Sequence, residues 1–227
     1  MSRQARQMAF ELPHRAAMDM ADFLVAPANA DAVAWIDRWP DWPGRVLVVH
    51  GPPGCGKSHL GNVWRARVDA ALMTATALSG EMVFSAVAPG GCLVLEDIGA
   101  DLIGDRQAET ALFHLMNWTR EQGGGLLLTS RRPPGRWPLA LADLASRIRA
   151  CSAVALRPPD DALLAAVLVK LFADRQIRVG DEVVSFLVKR IERSFAAARA
   201  AVETLDRRAL AEGRPITIPF IRKNILP

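Results

Sequence analysis

The stretch VLVVHGPPGCGKSHLGNVW, residues 46–64, joins a continuous apolar run to a glycine-rich turn and then to a Lys-Ser pair. A short, β-branched run without polar alternation is typical of a strand that is buried on both faces of a parallel sheet. The residues after the turn favour a helix from Lys57 to Val68. The stretch therefore predicts a strand, a turn and a helix in direct succession.

The turn fits the pattern G-x-x-x-x-G-K-[ST], in which backbone N–H groups close around phosphate oxygens at the start of a helix. In this pattern Lys57 reaches the outer phosphates and the Ser58 hydroxyl binds Mg²⁺. The alternative, a glycine turn without a ligand, is disfavoured because the strand and the helix flank the turn as the pattern requires. We predict nucleotide contacts from Gly51, Pro52, Pro53, Gly54, Cys55, Gly56, Lys57, Ser58 and His59.

The composition is that of an ordinary globular protein of 227 residues with a formal net charge of +4. Cys55, Cys92 and Cys151 form no C-x-x-C pair, so neither a disulfide framework nor a zinc site is indicated. The sequence shows no membrane span and no secretory signal, so we expect a cytoplasmic protein. The basic residues are mostly scattered arginines, which favours a dispersed solvated surface over a dedicated nucleic-acid patch.

Strand and helix patterns alternate along most of the chain and then give way to helices alone. We predict a helix from an N-cap at Asn29, further strands at CLVLED (92–97) and LLLTS (126–130), and a helix through 109–122 between them. From about residue 160 three helices are predicted, starting at Asp160 or Asp161, at Gly180-Asp181 and at about Phe195. The fold class is therefore α/β, a parallel sheet flanked by helices, followed by a small all-helical subdomain.

Polar residues stand where two predicted strands end. A carboxylate of Glu96 or Asp97 could hold the Mg²⁺ of a bound nucleotide together with Ser58, and Asp97 could orient an attacking water. Thr129 and Ser130 could reach the γ-phosphate or that water by hydrogen bonding. Taken alone, Glu96 and Asp97 would more often form a solvated turn, and Thr129 and Ser130 would agree equally well with simple strand termination.

The segment DLASRIR, residues 143–149, contains Arg147 and Arg149 near the end of the α/β part. Arginine stabilises the charge on a transferring phosphoryl group, and a neighbouring protein can supply it. On spacing alone, a surface arginine paired to Asp143 is the favoured interpretation.

Taken together, the motifs resemble the AAA+ ATPases of the DnaA clade and, within that clade, the alphaproteobacterial form of the Hda family of DnaA-homologous regulators. The resemblance covers nearly the whole chain and is carried by FLVAPANADAVAWI, GPPGCGKSHL, VLEDI, AETALFHLMN, LLLTSRRPP, LADLASRI and VETLDRRALAEGRPITIPFIRKNI. It implies an N-terminal tail over 1–22, an AAA+ P-loop core over 23–158, a helical lid over 159–227, and ATP or ADP with Mg²⁺ as cofactor.

The resemblance also implies a function in replication initiation. Arg147 corresponds to the arginine finger, which would promote hydrolysis of ATP bound to DnaA. In the tail, the residues that correspond to the peptide that docks on the sliding clamp of DNA polymerase III are Gln7, Met8, Phe10 and Leu12. The expected partners are DnaA, the clamp, DNA reached indirectly through the clamp, and further copies of the chain in a nucleotide-dependent oligomer, with nucleoid or replisome association.

The sequence departs from the family pattern at two places. Glu96 stands first in the acidic pair, where aspartate is usual, so weak intrinsic ATP hydrolysis is expected. Ala196 stands at the usual lid arginine, and Arg193 or Arg199, each about one helical turn away, would have to replace it; we assign the lid contact to Arg193. Loss of the usual contact would weaken discrimination between ATP and ADP.

Three other functions agree with parts of the sequence. In a self-sufficient ATPase similar to a helicase loader, the residues that line the phosphates would turn ATP over and Arg147 would serve a homo-oligomer. A DNA-binding accessory protein would use the arginine-rich lid surface. A small-molecule P-loop kinase is the least favoured, because the residues after 160 resemble a lid and not an acceptor-binding insertion.

Overall fold

The computed structural model describes residues 24–78, 90–99 and 102–225. Its centre is a parallel sheet of five strands in the order β2-β3-β4-β1-β5. The strands are β1 (Val46–His50), β2 (Ala71–Thr74), β3 (Cys92–Ile98), β4 (Gly125–Ser130) and β5 (Ser152–Ala155). The predicted α/β architecture is confirmed, and the carboxyl ends of β1, β3 and β4 meet at one edge of the sheet.

Four helices flank the sheet, namely α1 (Ala30–Asp37), α2 (Lys57–Val68), α3 (Arg106–Glu121) and α4 (Ala142–Ala150). One hydrophobic cluster packs α3 and α4 on one face, and a second cluster packs α1 and α2 on the other. Helix α2 has the predicted bounds. Helix α3 starts three residues before the predicted segment, because the Asp105 carboxylate accepts hydrogen bonds from the N–H groups of Gln107 and Ala108.

Asn29 stands at the predicted N-cap position of α1, but its side chain does not cap the helix. Instead, the Asn29 Oδ1 accepts from the Ala26 N–H at 2.8 Å and the Nδ2 donates to the Leu24 carbonyl at 2.8 Å. Asn29 therefore fixes the turn that leads into α1, and that turn borders the candidate site described below.

Three tryptophans fill the space between α1, α2 and the start of β4. The rings of Trp42 and Trp64 are stacked with centroids 4.9 Å apart, and Trp39 meets both rings edge-on. Gly125 is required beside them, because a Cβ on this residue would lie 2.3 Å from the Trp39 ring.

The four helices that follow form a second unit, which we call the lid: α5 (Asp161–Asp174), α6 (Asp181–Val188), α7 (Phe195–Glu212) and α8 (Ile218–Asn224). The Asp160 side chain caps α5, and Ser194 and Thr217 cap α7 and α8. The lid has its own hydrophobic core, centred on Leu164, Phe172, Leu187, Val202 and Ile221. Helix α8 was not predicted. No helix in the described part of the chain is long and apolar enough to cross a membrane.

A buried carboxylate ties α3 to the segment before α4. Glu109 is fully buried; its Oε1 accepts from the N–H groups of Gly104 and Ala140, and its Oε2 accepts from the Leu141 N–H. Because one side chain satisfies three backbone donors, Glu109 is a structural residue of the core and not a solvated helix residue.

We expect Glu109→Ala to lower the free energy of unfolding by about 2–4 kcal/mol, because it leaves three backbone donors without their acceptor. Glu109→Gln keeps one carbonyl oxygen and should cost less. Urea denaturation measures both changes, with Glu121→Ala, an exposed position on the same helix, as control. Equal stability of Glu109→Ala and the control would contradict the structural role.

Candidate nucleotide-binding site

The glycine-rich turn leaves β1 at the carboxyl edge of the sheet and enters α2 directly. The Gly51 N–H still donates to the Ser130 carbonyl at 3.1 Å, so the sheet ladder holds the start of the turn. Gly54 and Gly56 both have positive φ, of 71° and 103°. These conformations are strained for residues with a Cβ, and they curl the backbone around the first turn of α2.

The Lys57 side chain folds back into this turn. Lys57 is only 9% exposed, and its Nζ donates to the carbonyls of Gly51 at 2.8 Å and Pro52 at 2.9 Å. An incoming phosphate would compete with these neutral acceptors for the ammonium group, and a charged acceptor makes the stronger hydrogen bond. The next residue, Ser58, is exposed.

The turn opens into a cleft of about 730 Å³ between the sheet and the lid, a volume within the usual range for small-molecule sites. The core wall carries residues of the turn and of the strand ends, and the lid wall carries residues of α5 and α7. The lining includes Pro53, Gly54, Gly56, Lys57, Ser58, His59, Asp97, Thr129 and Arg131 on the core side, and Leu163, Val167, Lys170, Leu171, Phe195, Ala196, Arg199 and Glu203 on the lid side.

Helix α7 begins directly on the phosphate-binding turn. The Phe195 N–H donates to the Gly54 carbonyl at 2.8 Å, and the Phe195 ring lies beside Gly56, where a Cβ would be 3.1 Å from the ring. The lid is therefore joined to the turn by a backbone hydrogen bond and an aromatic contact. A rearrangement of the turn on ligand binding would be transmitted to α7 through both.

The acidic pair is divided between two environments. Asp97 is exposed and lines the cleft; its backbone is in the left-handed region with φ 58°, and its N–H donates to the Thr129 Oγ1 at 3.0 Å. Glu96 is half-buried behind the cleft wall, near Gly61 of α2. Its Oε1 is buried and has no hydrogen-bond partner among the residues that the structure describes.

These oxygen atoms are suitable ligands for Mg²⁺. The ion prefers hard oxygen donors and usually takes only one or two carboxylates from the protein, along with waters and phosphate oxygens. The Ser58 hydroxyl and the Asp97 carboxylate lie on the cleft, and the buried Glu96 Oε1 lacks a partner. The described ranges contain no cluster of three or more acidic, histidine or cysteine side chains that would form a metal site of its own.

The structure separates the two hydroxyl residues at the end of β4. Thr129 is 2% exposed and lines the cleft with the hydroxyl that accepts from Asp97. Ser130 does not line the cleft; its buried Oγ donates to the Arg132 carbonyl at 2.6 Å and closes the turn after the strand. The placement therefore agrees with a role of Thr129 in the site and gives Ser130 a structural role.

Burial changes the acidity of two groups near the turn. It raises the pKa of the Cys55 thiol, although the nearby Lys57 ammonium partly opposes this effect. It also lowers the pKa of His50 at the end of β1. At neutral pH both side chains are therefore uncharged, and Cys55 is a packing residue of the turn and not a nucleophile.

The lid arginines differ in placement. Arg193, the predicted contact, forms an exposed ion pair with Asp161 at 2.9 Å and does not line the cleft. Arg199 lines it, one turn after Ala196 on the same face of α7. The structure thus favours Arg199 over Arg193 as the lid residue within reach of a ligand.

Arg147 lies on α4, outside the cleft lining. Its guanidinium carbon is 4.8 Å from the centroid of the Phe113 ring on α3, a cation–π contact. Although Asp143 is one helical turn earlier, no ion pair joins the two side chains in the described ranges, so the alternative that Arg147 is paired to Asp143 is not supported. Arg149 is exposed and its Nε donates to the Ala145 carbonyl at 3.1 Å.

The four tail residues Gln7, Met8, Phe10 and Leu12 lie outside the described residues. Sequence reasoning overlooked other cleft residues, notably Leu24, Asn29 and Arg131. The sequence could have predicted Arg131 as a cleft residue, because it immediately follows the strand-end pair Thr129-Ser130. It could not have predicted Leu24 and Asn29, since only the fold brings the segment before α1 to the cleft.

Comparison with known proteins supports the assignment of both parts of the molecule. Residues 161–225 match the protein family described as Hda, lid domain. The chain is also similar to domain III of the replication initiation protein DnaA from Thermotoga maritima, with a TM-score of 0.74 and 23% identity over 88% of this chain and 92% of that one.

Two further solved structures share the fold. AMPPCP-bound DnaA from Aquifex aeolicus has a TM-score of 0.67 at 17% identity, over 84% of this chain and 65% of that one. A Thermotoga maritima RuvB variant has a TM-score of 0.65 at 16% identity, over 86% and 65%. The family match thus assigns residues 161–225 to the Hda lid domain family, and the chain shares the fold of DnaA domain III.

Proposed function

We propose that the chain is an AAA+ regulator of chromosome replication initiation that promotes the hydrolysis of ATP bound to DnaA. The observation that carries the proposal is the placement of Arg147 outside the chain's own cleft, stacked on Phe113 and without a carboxylate partner in the described ranges. An arginine held in this way keeps its N–H donors free for an anion on another molecule.

The cleft holds an adenine nucleotide, ATP or ADP, with Mg²⁺. The backbone of the turn and Lys57 bind the phosphates, and Ser58, Asp97 and Glu96 hold the metal ion directly or through water. When bound, Mg²⁺ neutralises part of the phosphate charge. Two of the structural neighbours, replication initiators of the DnaA type, contain AMPPCP, which supports this part of the proposal.

The bound nucleotide has a mainly structural role in this chain. Because α7 starts on the turn through the Phe195–Gly54 hydrogen bond, a ligand that orders the turn also orders the lid. The chain's own hydrolysis is weak, since its arginine finger lies outside its own cleft and Glu96 stands first in the acidic pair, where aspartate is usual.

The arginine finger acts in trans. Arg147 enters the active site of ATP-bound DnaA and stabilises the charge that develops on the transferring phosphoryl group, an effect of about 10³–10⁵ in rate in other phosphoryl-transfer systems. The tail, residues 1–22, tethers the chain to the DNA-loaded sliding clamp through Gln7, Met8, Phe10 and Leu12. DNA is then reached through the clamp, while the core (23–158) and the lid (159–227) face DnaA.

We expect Arg147→Ala to reduce the stimulated hydrolysis of DnaA-bound ATP by about 10³-fold or more, because the developing charge loses its guanidinium partner. The measurement is single-turnover hydrolysis of ATP preloaded on DnaA, with DNA-loaded clamp. Arg149→Ala, two residues away on the same helix and exposed, should retain the activity. Equal activity of Arg147→Ala and wild type would refute the proposed role.

A second expectation concerns Phe113, which orients Arg147 through its ring. Phe113→Leu preserves apolar volume but removes the π face, so stimulation should fall by about tenfold, whereas Phe113→Tyr should retain it. The same single-turnover assay tests this, with the protein's melting temperature as a check on folding. If Leu and Tyr variants behave alike, the ring contact has no functional importance.

The tail peptide can be tested without DnaA. Gln7→Ala with Phe10→Ala should weaken binding to the isolated clamp by about tenfold or more, because a polar anchor and an apolar side chain are lost together. Surface plasmon resonance on immobilised clamp measures the affinity, and Gln4→Ala, just upstream, is the matched control. Unchanged affinity of the double variant would remove the tether from the proposal.

A further inference from the structure

We propose that a surface patch on the lid binds the phosphate backbone of double-stranded DNA. The patch is formed by Phe186, Arg190 and Arg222, and we call it the Phe186 patch. The inference goes beyond the proposed function, in which the chain reaches DNA through the clamp. It also concerns a different part of the molecule, because none of these three residues lines the nucleotide cleft.

The fold brings together two arginines that are far apart in the sequence. Arg190 follows α6, and Arg222 lies on α8. The guanidinium carbon of Arg190 is 3.7 Å from the centroid of the Phe186 ring, and that of Arg222 is 5.5 Å from the same centroid. Both arginines are exposed. Although the sequence favours dispersed arginines, one ring of the lid therefore holds two guanidinium groups close together.

Neither guanidinium of the Phe186 patch forms an ion pair within the ranges that the structure describes. Other basic side chains of the lid do have carboxylate partners, in the pairs Lys170–Asp174, Arg175–Asp206, Arg193–Asp161 and Lys223–Glu212. Two like charges beside one ring repel each other, and an oxyanion that contacts both removes this repulsion and accepts charge-assisted hydrogen bonds from each. The contacts of the two arginines thus favour an anion from another molecule.

The residues around the patch are polar, and basic ones outnumber acidic ones. Ser185 and Lys189, each directly before a patch residue, are exposed. Glu182 is one helical turn before Phe186, and its carboxylate lies back against the start of α6. Glu192 is exposed and forms no ion pair with either arginine in the described part of the chain. With Lys189 and the two arginines, the local charge is therefore positive.

The small exposed apolar area favours nucleic-acid phosphates over a peptide. The Phe186 ring is only 8% exposed and both guanidinium groups pack against it, so it offers no apolar anchor of the kind that dominates protein interfaces. It also offers no free face for base stacking, which single-strand binding uses. The phosphates of a duplex, by contrast, are bound by arginine, lysine and hydroxyl side chains. The expected ligand is therefore the duplex backbone, bound without preference for sequence.

The test measures binding of the full chain to a short fluorescein-labelled DNA duplex by fluorescence anisotropy, without DnaA or clamp. At about 50 mM salt, Arg190→Ala with Arg222→Ala should weaken duplex binding by about tenfold or more. The slope of log K against log salt concentration should fall in magnitude by about 2, because each phosphate contact contributes about 0.9. Arg207→Ala with Arg208→Ala removes the same charge from exposed positions of α7 and is the matched control; it should weaken binding by less than about threefold.

The outcomes distinguish the duplex from other anions. Equal losses in the two double variants, or no duplex binding by the wild-type chain, would refute the inference. Tighter binding of a single strand of the same length, or of a labelled polyglutamate peptide, would assign the patch to another partner and overturn it as well. An unchanged melting temperature shows that each variant is folded. Because DnaA and clamp are absent, a failure of duplex binding leaves the proposed function intact, and a failure of DnaA stimulation leaves this inference intact.

Discussion

A single backbone hydrogen bond, from the Phe195 N–H to the Gly54 carbonyl, joins the lid to the phosphate-binding turn. The sheet and the lid have separate hydrophobic clusters, and the cleft lies between them. Because the bond uses the first residue of α7, the direction of that helix follows the backbone of the turn. The start of the lid helix is thus held at the glycine-rich turn, and Arg199 and Glu203 of α7 line the cleft.

Four arginines of the molecule, Arg131, Arg147, Arg193 and Arg199, differ in the contacts that their side chains make. Arg193 forms an ion pair with Asp161, and Arg147 is stacked on the Phe113 ring. Arg131 and Arg199 line the cleft, and neither forms an ion pair with another residue that the structure describes. An ion pair occupies part of the hydrogen-bond donors of a guanidinium, whereas an aromatic ring holds its plane and leaves the donors available. Arg147 therefore keeps donors available outside the cleft, whereas Arg131 and Arg199 lie on its lining.

Sequence reasoning anticipated the parts of the fold that have strong local patterns. The continuous run of β1, the turn with Lys57 and the starts of the first three lid helices were sufficient for the architecture, because these features depend on neighbours in the chain. Strands β2 and β5 were missed, since each has four residues at a sheet edge with partly exposed positions that lack a buried run. Glu109, Arg131 and the choice of Arg199 over Arg193 depend on contacts between distant segments, which periodicity does not reveal.

The tryptophan cluster beneath the sheet has a practical consequence. All six tryptophans of the chain precede residue 138, and the lid segment 161–225 contains none. The stacked pair Trp42 and Trp64 is buried among the residues that support the turn. Intrinsic fluorescence therefore reports on the sheet domain alone, whereas far-ultraviolet circular dichroism reports on the helices of both the sheet domain and the lid. If the two signals melt at different temperatures, the protein unfolds in two steps, and the separation between them measures how tightly lid and sheet are coupled.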